Sequence, residues 1–347
     1  MGKYSLIVVF FFLFIQNGFS QETDIESERL NDSVYLKAIK ANGVKIITIR
    51  NQKYKVWTKK VGTGKIKLLL LHGGPGTSPE YFENFATQLG ANYTIYFYSQ
   101  LGTYFSDIPK DAALYTIEKF VNDIEEIRKA LHLNQFYILG HSWGNQLAQA
   151  YAAKYQQHLK GLILCNNINE KDEILAEYQT QLYASILDSI PEFARYADSL
   201  RLGLTGEFTN FSTADALGHK IRTKAWPVML KRHYARLPDP MPDALMRSKK
   251  HSTSRLMASL GFTQRITETD FNKYLVKIKI PTLLLGAKYD FIPSTYYLNM
   301  RKKMILNSNV DIYICPYGSH FAMWDDSENF FKAVTDFIIK TEKLKSK

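Results

Sequence analysis

Cysteine is scarce in this sequence: its 347 residues contain only Cys165 and Cys315. A disulfide framework is therefore not the source of stability. Each cysteine ends an apolar run, and we expect both to be buried as small hydrophobic side chains. Internal repeats and low-complexity stretches are also missing. With 46% hydrophobic, 14% aromatic and 22% charged residues, the chain has enough apolar surface for a folded core.

Long apolar runs are rare, and the one at the amino terminus extends only from Leu6 to Ile15. A membrane-spanning helix needs about 20 residues, so this run is too short to cross a bilayer. Lys3 precedes it, and the small residues Gly18 and Ser20 follow it, as is typical of a secretory signal peptide. We predict a signal peptide at residues 1–20 and export to the periplasm or beyond, with an uncleaved anchor as the alternative. No cysteine follows the run, so lipid attachment is not expected.

The formal net charge is +11, but the charge is unevenly distributed. Residues 217–256 contain ten lysines or arginines and two aspartates, whereas residues 166–216 contain nine acidic and three basic residues. Basic proteins can bind phosphate backbones, yet no recognisable nucleic-acid module is present and export argues against such a partner. We expect no nucleic-acid partner. The basic segment is either a solvated face or a lid that attracts anionic groups.

Short apolar runs alternate with helical patterns from Val44 onward, which predicts an α/β fold with a mostly parallel sheet and helices on both faces. Residues 166–279 lack strand patterns and predict a helical insertion over the sheet. The predicted organisation is a signal peptide (1–20), a first part of the core (21–165), a helical cap (166–279) and a second part of the core (280–347). Strands are predicted at Val44–Ile49, Tyr54–Trp57, Ile66–Leu71, Tyr93–Tyr98, Phe136–Leu139, Leu159–Cys165, Pro281–Leu285 and Val310–Cys315. Helices are predicted at Ile117–Leu131, with Thr116 as N-cap, at Trp143–Tyr155 and from about Glu328 to Ile339.

The string Gly140-His141-Ser142-Trp143-Gly144 lies where a predicted strand ends and a predicted helix begins. This is the nucleophile-elbow pattern, a tight turn that needs small residues beside the serine and holds its hydroxyl above the sheet edge. The amino terminus of the following helix favours negative charge that develops there. We therefore predict Ser142 as the nucleophile of an acyl transfer.

A glycine-rich string, His72-Gly73-Gly74-Pro75-Gly76, directly follows a predicted strand. A loop of this kind can present a backbone N–H group to an oxyanion. The tetrahedral intermediate of acyl transfer needs two donors. We predict the N–H groups of Gly74 and Trp143 as the oxyanion hole, although a tight turn without a catalytic part would also need these glycines.

A serine nucleophile needs a base, usually histidine, that is oriented by a carboxylate. In elbow enzymes the chain order is serine, acid, histidine. Only His320 follows the last predicted strand in a loop, and Asp290 lies a few residues beyond the preceding strand. Asp270 and Asp311 are the rivals for the acid. The other histidines, which fit less well, are His72, His132, His141, His158, His219, His233 and His251.

These residues resemble the α/β-hydrolase fold and, within it, the prolyl aminopeptidase (proline iminopeptidase) family of serine peptidases. The resemblance covers roughly residues 44–340 and is carried by the glycine loop, the elbow with its tryptophan, the Gln100-Leu101-Gly102 string and Pro281 before Asp290. It implies that Ser142 attacks the carbonyl of an N-terminal residue, with Asp290 and His320 completing the triad. It also implies a helical cap between residues 165 and 281.

The sequence departs from this family at two places. Ser99 stands where the family usually has aspartate before the glutamine, and Thr103-Tyr104-Phe105-Ser106 replaces a Gly-Arg-Ser-like continuation. Gly261 stands where a family glutamate, placed before a phenylalanine, binds the free amine of the substrate. A buried ammonium without a carboxylate partner is costly. Four cap carboxylates could substitute, although surface helix charges are their plainer interpretation: Glu170, Glu173, Glu177 and Glu207.

The family's strand order separates the strands that end at Cys165 and Cys315 by one intervening strand. Two strand spacings of about 4.8 Å exceed the roughly 7 Å limit between Cα atoms of a disulfide. The resemblance therefore implies two free thiols.

The sequence is compatible with three functions. The first is an exported serine hydrolase that releases an N-terminal residue, proline or similar, from short peptides through an acyl-enzyme on Ser142. The second keeps the triad for an ester or lactone substrate, because the same groups serve both acyl types. The third is a non-catalytic binding protein on a hydrolase scaffold. We expect a small peptide or acyl substrate, no metal or organic cofactor and no stable membrane span after signal removal; the oligomeric state is not predicted.

Overall fold

Eight strands form one sheet in the computed structural model, which describes residue 29, residues 31–167, residue 237 and residues 240–345. The strands are β1 (Val44–Ile49), β2 (Tyr54–Val61), β3 (Ile66–Leu71), β4 (Tyr93–Tyr98), β5 (Phe136–His141), β6 (Leu159–Cys165), β7 (Thr282–Ala287) and β8 (Val310–Cys315). Their order is β1-β2-β4-β3-β5-β6-β7-β8. The pairs β1–β2 and β2–β4 are antiparallel, and the other five are parallel. The mostly parallel sheet is as the alternating pattern predicts.

The described helices surround this sheet. The α-helices are α1 (Ser33–Ile39), α2 (Phe85–Gln88), α3 (Ile117–Ala130), α4 (Trp143–Tyr155), α5 (Asp243–Lys250), α6 (Ser254–Ser259), α7 (Phe262–Thr267), α8 (Asn272–Leu275), α9 (Ser294–Lys303), α10 (Ala322–Asp325) and α11 (Ser327–Lys345). Short 3₁₀-helices cover Pro79–Phe82, Ala112–Leu114 and Gln156–His158. Thr116 caps α3 as predicted, because its side chain accepts a hydrogen bond from the N–H of Lys119.

The central strands are buried on both faces, which explains their nearly continuous apolar sequences. Along β3, Leu69 and Leu71 join one core while Leu68 and Leu70 join the other. Helices α3, α4 and α9 contribute to the first core, and α2 and α11 contribute to the second. The sheet therefore lies between two helical layers.

Chain order reverses at the junction of β3 and β5, since β4 lies on one side of β3 and β5 on the other. Such a topological switch point opens a crevice beyond the carboxyl ends of the strands. The glycine loop follows β3 and the predicted elbow follows β5, so both lie at this crevice. The loops that follow β6, β7 and β8 leave the same edge, with about 4.8 Å between neighbouring strands.

Several strand boundaries differ from the sequence prediction. Strand β2 continues past Trp57 to Val61, where it pairs with β4, and β5 continues to His141. Strand β7 begins at Thr282 rather than at Pro281, because proline has no N–H for the ladder. The N–H of Thr282 donates to the carbonyl of Asn309. The carboxyl-terminal helix is longer at both ends than predicted.

The predicted cap falls partly outside the described residues, as does the predicted signal peptide. Within the described part of the cap, residues 240–279 contain the four short helices α5 to α8 and no strand. Among the residues that the structure covers, no helix combines the length and apolarity of a membrane span. Both Cys165 and Cys315 are buried free thiols. Their strands lie on either side of β7, as the resemblance implied.

Candidate active site

Ser142 occupies a strained turn between β5 and α4. Its backbone φ of 55° and ψ of −123° are unusual for a residue other than glycine, and its N–H donates to the carbonyl of Cys165 at 3.1 Å. The turn has no space for larger neighbours. A Cβ at Gly140 would overlap the carbonyl of Gly144, and one at Gly144 would overlap the carbonyl of Leu71. The local geometry is that of a nucleophile elbow, with Ser142 buried at the carboxyl edge of the sheet.

His320 and Asp290 meet at the same edge, although 30 residues separate them. The Nδ1 atom of His320 lies 3.1 Å and 3.2 Å from the two carboxylate oxygens of Asp290. Because a carboxylate only accepts, Nδ1 donates, and in the neutral imidazole the lone pair is on Nε2. His141, the residue before Ser142, has its ring centroid 4.8 Å from that of His320. The imidazole and its carboxylate thus lie beside the elbow.

Asp290 is fixed by two further donors. The side-chain amide of Asn166 donates to Oδ2 at 2.6 Å, and the N–H of Phe291 donates to Oδ1 at 2.8 Å. Asn166 directly follows β6 and has a backbone φ of 50°, so the same edge of the sheet presents it to the carboxylate. Asn166 was not among the residues predicted from the sequence. No local sequence pattern identifies it, because 124 residues separate it from Asp290 and only the adjacent positions of β6 and β7 in the sheet bring the two together.

Burial lowers the pKa of the His320 imidazole to about 3. Burial raises the free energy of the protonated, positively charged imidazole, whereas the nearby Asp290 carboxylate lowers it. The depressed pKa leaves the imidazole neutral at neutral pH, which is the form that can accept a proton. The histidine therefore has the protonation state of a general base.

The competing sequence candidates occupy other places. Asp311 lies near the start of β8 and pairs with Lys340 at 2.7 Å, at the opposite end of the strand from His320. Asp270 is in the helical segment, where it accepts from the N–H of Asn272 near the start of α8. His132 is exposed and His158 is half-buried, each at the end of a helix. His219 and His233 lie outside the described residues.

The glycine loop lies against Ser142. A Cβ built on Gly73 would come within 3.0 Å of the Cβ of Ser142, so only glycine allows this approach. The N–H of Gly73 donates to the Tyr81 hydroxyl at 2.6 Å. In the described part of the chain, the N–H groups of Gly74 and Trp143 donate to no protein group. These two predicted oxyanion donors are therefore available.

Gln100 connects the glycine loop to the elbow. Its side chain donates to the carbonyl of His72 at 2.8 Å and accepts from the indole N–H of Trp143 at 2.8 Å. Its backbone N–H donates to Nε2 of His72 at 3.1 Å. Burial lowers the pKa of His72 to about 4, so this ring is a neutral structural acceptor. The Gln-Leu-Gly string thus fixes the two loops that carry the available N–H groups.

Hydroxyl groups provide the local support at the positions where the sequence departs from the family. The Ser99 and Thr103 hydroxyl oxygens lie 2.7 Å apart, and the Ser106 hydroxyl donates to the carbonyl of Ser99 at 2.7 Å. The Ser106 oxygen also accepts from the N–H of Trp57 at 3.0 Å. This loop therefore keeps a connected hydrogen-bond network without the family's aspartate.

The described part of the predicted cap contacts the site directly. Thr253 donates from its N–H to the carbonyl of Gly76 at 2.7 Å, and its hydroxyl donates to the carbonyl of Gly102 at 2.7 Å. Phe262 is buried with its ring 5.3 Å from that of Trp143. Gly261 precedes it in a left-handed conformation, with φ of 67°, and supplies no carboxylate. The candidate amine ligands lie outside the described residues: Glu170, Glu173, Glu177 and Glu207.

A second polar cluster joins the helical segment to the core, and we name Glu80, Arg247 and His251 the junction cluster. The Nδ1 atom of His251 lies 2.6 Å from one oxygen of Glu80, and Arg247 contacts the other oxygen at 3.0 Å. The His251 ring stacks on Tyr104 at 4.0 Å. Among the residues that the structure covers, no group of three or more His, Cys, Asp or Glu side chains is arranged to hold a metal ion.

Ser142 lies in an elbow after β5, Asp290 lies on the loop after β7, and His320 lies on the loop after β8. This arrangement defines the class of α/β hydrolases. A family model described as alpha/beta hydrolase fold matches residues 67–327. Among solved structures, the chain is similar to a proline iminopeptidase from Mycobacterium smegmatis, with a TM-score of 0.65 and 18% identity. That match covers 86% of this chain and 99% of the other, and it shows the shared fold.

Curated relatives define the family more narrowly. A proline iminopeptidase from Flavobacterium johnsoniae is 36% identical, over 82% of this chain and 94% of the relative. A proline iminopeptidase from Elizabethkingia meningoseptica is 37% identical with the same coverage. The chain belongs to the proline iminopeptidase family of α/β-fold serine hydrolases.

Proposed function

We propose that this protein is an exported serine aminopeptidase that releases an N-terminal residue, proline or a similar one, from short peptides. Ser142 is the nucleophile, His320 the general base and acid, and Asp290 the carboxylate that orients His320. The N–H groups of Gly74 and Trp143 form the oxyanion hole. The observation that carries the proposal is the contact between His320 Nδ1 and Asp290, beside a serine in elbow geometry.

The reaction proceeds in two acyl-transfer steps. His320 Nε2 takes the proton of Ser142 while Oγ bonds to the carbonyl carbon, and the two N–H groups stabilise the resulting oxyanion. His320 then gives its proton to the leaving amine as the C–N bond breaks, which leaves an ester on Ser142. Water attacks this ester while His320 takes its proton. The C–O bond to Ser142 breaks, the serine recovers a proton, and the N-terminal residue is released.

A fluorophosphonate probe tests the nucleophile. We expect the probe to label Ser142 in the purified chain, as located by mass spectrometry of the peptides, and to leave Ser142→Ala unlabelled. If the probe does not label Ser142 in folded wild-type protein, the assignment of Ser142 as nucleophile is wrong. Asp290→Asn provides a second check, because the weakened base should slow labelling while the serine is still present.

The substrate class needs a separate experiment, since the relatives support a peptide substrate while an ester or lactone uses the same groups. We expect turnover of prolyl and alanyl arylamides and slower turnover of short acyl esters. The N-acetylated form of each arylamide is the matched control, because it lacks the free amine. Turnover of esters alone would assign the site to an esterase or lactonase.

Recognition of the free amine requires a carboxylate, and the acidic part of the cap is our proposed source. Four single substitutions to glutamine test it: Glu170→Gln, Glu173→Gln, Glu177→Gln and Glu207→Gln. The substitution that removes the ligand should raise KM for arylamides with a free amine and leave the slow ester reaction unchanged. If all four variants keep the wild-type KM, the ligand is elsewhere.

Export rests on the predicted signal peptide. We expect the mature chain recovered outside the cytoplasm to begin at Gln21, as determined by N-terminal sequencing. A chain that keeps residues 1–20 and sediments with membranes would instead support an uncleaved anchor.

A further inference from the structure

Tyr81 and His141 connect two loops that are distant in the chain. The Nε2 atom of His141 lies 2.8 Å from the carbonyl oxygen of His320, and Nδ1 lies 3.1 Å from the Tyr81 hydroxyl. That hydroxyl accepts the N–H of Gly73 at 2.6 Å. One imidazole therefore joins the glycine loop after β3 to the loop that carries the general base.

The direction of each hydrogen bond follows from the acceptors. A carbonyl oxygen can only accept, so Nε2 of His141 donates to His320. A neutral imidazole then has its lone pair on Nδ1, and the Tyr81 hydroxyl must donate to it. The Tyr81 oxygen keeps a lone pair for the N–H of Gly73. Each proton in this chain of three hydrogen bonds has a defined position.

The surroundings keep His141 neutral and Tyr81 fixed. Burial, together with the proximity of His320, lowers the pKa of His141 to about 3. The carbonyl of Tyr81 accepts from the indole N–H of Trp324 at 2.7 Å. The Tyr81 ring meets those of His141 and Phe321 at 5.3 Å and 5.5 Å. Neither side chain can rotate away without breaking several contacts.

We propose that Tyr81 and His141 are positioning residues that hold the Gly74 oxyanion donor and His320 in one fixed relative geometry. This inference rests on the proposed function, in which Gly74 and His320 act on the same tetrahedral intermediate. Gly73 precedes Gly74, so a shift of Gly73 moves the donor, and the His320 carbonyl belongs to the base itself. A misplacement of about 1 Å at such groups can slow turnover by roughly 100-fold.

Isosteric variants test the chain of hydrogen bonds. Tyr81→Phe removes the hydroxyl between Gly73 and His141, and His141→Gln keeps a donor for the His320 carbonyl while it loses the imidazole acceptor. We expect each variant to lower kcat for an arylamide by about tenfold with KM within twofold of wild type. His141→Leu, which loses both hydrogen bonds, should lower kcat further.

Coupling between the two residues is the decisive measurement. Because Tyr81 and His141 act in one chain, the double variant Tyr81→Phe/His141→Gln should be about as slow as either single variant. The matched control is Tyr151→Phe, which removes a buried hydroxyl that donates to Glu125 at 3.1 Å, away from these loops. That control should lose stability and keep kcat. Circular dichroism confirms that each variant is folded before kcat is compared.

Two outcomes would overturn the inference. One is a kcat within twofold of wild type for both single variants, and the other is a double variant whose loss is the product of the two single losses. Both outcomes count only if the fluorophosphonate probe labels Ser142 in the wild-type enzyme. If wild type itself fails to label or turn over, the proposed function fails instead, and the two failures are therefore distinguishable.

Discussion

Two buried histidines in the described part of the chain contact carboxylates, and they lie in different chemical settings. His320 meets Asp290 at 3.1 Å beside a strained elbow serine, while His251 meets Glu80 at 2.6 Å in the junction cluster. Asp290 accepts from the uncharged amide of Asn166, whereas Glu80 accepts from the guanidinium of Arg247. The His251 ring is stacked on Tyr104 at 4.0 Å.

The comparison shows that a histidine–carboxylate pair does not by itself identify a catalytic site. The histidine–carboxylate distance is shorter in the junction cluster than in the sheet-edge pair. The Glu80 carboxylate, however, also binds Arg247 and so joins the helical segment to the core. At the sheet edge the pair lies beside Ser142, the proposed nucleophile in its strained turn, and two available N–H donors. Equivalent substitutions in the two regions should therefore affect different properties of the protein.

The largest expected effect comes from Asp290→Asn. The amide no longer stabilises the charged imidazole and favours the wrong tautomer of His320, so kcat for an arylamide should fall about 10⁴-fold. Urea unfolding should show only a small change in stability. A kcat within tenfold of wild type would remove Asp290 from the proposed triad and leave the two histidine pairs equivalent.

The sheet-edge region should also govern the response to acid. The pKa of His72 is lowered to about 4, and those of His141 and His320 to about 3. Below about pH 6.5 the unfolded chain binds protons that the native state does not, so stability falls as the pH is lowered. At pH 5.5 the three groups together cost about 4 kcal/mol. Burial raises the pKa of Asp123 to about 6. Asp123 therefore binds a proton in the native state at a pH where the unfolded chain does not, and this offsets about 1 kcal/mol of the lost stability.

Urea unfolding at pH 8 and pH 5.5 measures this loss, which should be about 3 kcal/mol. His141→Gln removes one titrating group, so the loss should shrink by about 1 kcal/mol. An unchanged loss in that variant would show that His141 is not a source of the acid sensitivity. In the same pH series, the acid limb of kcat/KM should have its midpoint below 6.5, because neutral His320 is the proposed base and burial lowers its pKa to about 3.

Glu80→Gln is the equivalent substitution in the junction cluster. It leaves Arg247 without its buried partner, so we expect the free energy of unfolding to fall by about 2 kcal/mol. The kcat of the folded enzyme should stay within about twofold of wild type. Glu83→Gln is the control, because Glu83 also contacts Arg247 but is exposed, and its loss should be under about 1 kcal/mol. A large fall in kcat with unchanged stability would assign the junction cluster to the reaction.

Much of the fold could be predicted because the central strands are buried on both faces and therefore have continuous apolar sequences. Strands β1, β3, β4, β6 and β8 and helix α4 have the predicted bounds. The second half of β2 was missed because Lys59 and Lys60 look like the end of a strand. Both are tolerated there because β2 lies between β1 and β4 near one edge of the sheet.

The candidate site was predicted where a residue's role depends on its place along the chain, and missed where the role depends on a contact in space. Ser142, Asp290 and His320 follow strands in the order that the elbow pattern requires. Tyr81 and Asn166 have no such local pattern, since an ordinary tyrosine in a short helix and an asparagine after a strand occur everywhere. His141 was assigned no role, although its ring contacts both flanking loops.

Asn166→Gly has the smallest expected effect and tests why the sheet-edge carboxylate is fixed by an amide. Glycine accepts the φ of 50° at this position, so the substitution removes the 2.6 Å hydrogen bond to Asp290 with little backbone strain. A less constrained carboxylate should orient His320 less well, and we expect kcat to fall about tenfold with KM unchanged.

Asn167→Gly is the control for Asn166→Gly, because Asn167 is equally buried but donates to the Tyr296 hydroxyl at 2.8 Å. It should lower stability and leave kcat within about twofold of wild type. Equal losses of kcat in the two variants would mean that the segment after β6 affects kcat only through its general structure and that the Asn166–Asp290 hydrogen bond has no specific role. A loss confined to Asn166→Gly would show that Asp290 depends on a neutral donor, which distinguishes it from the cation-paired Glu80 of the junction cluster.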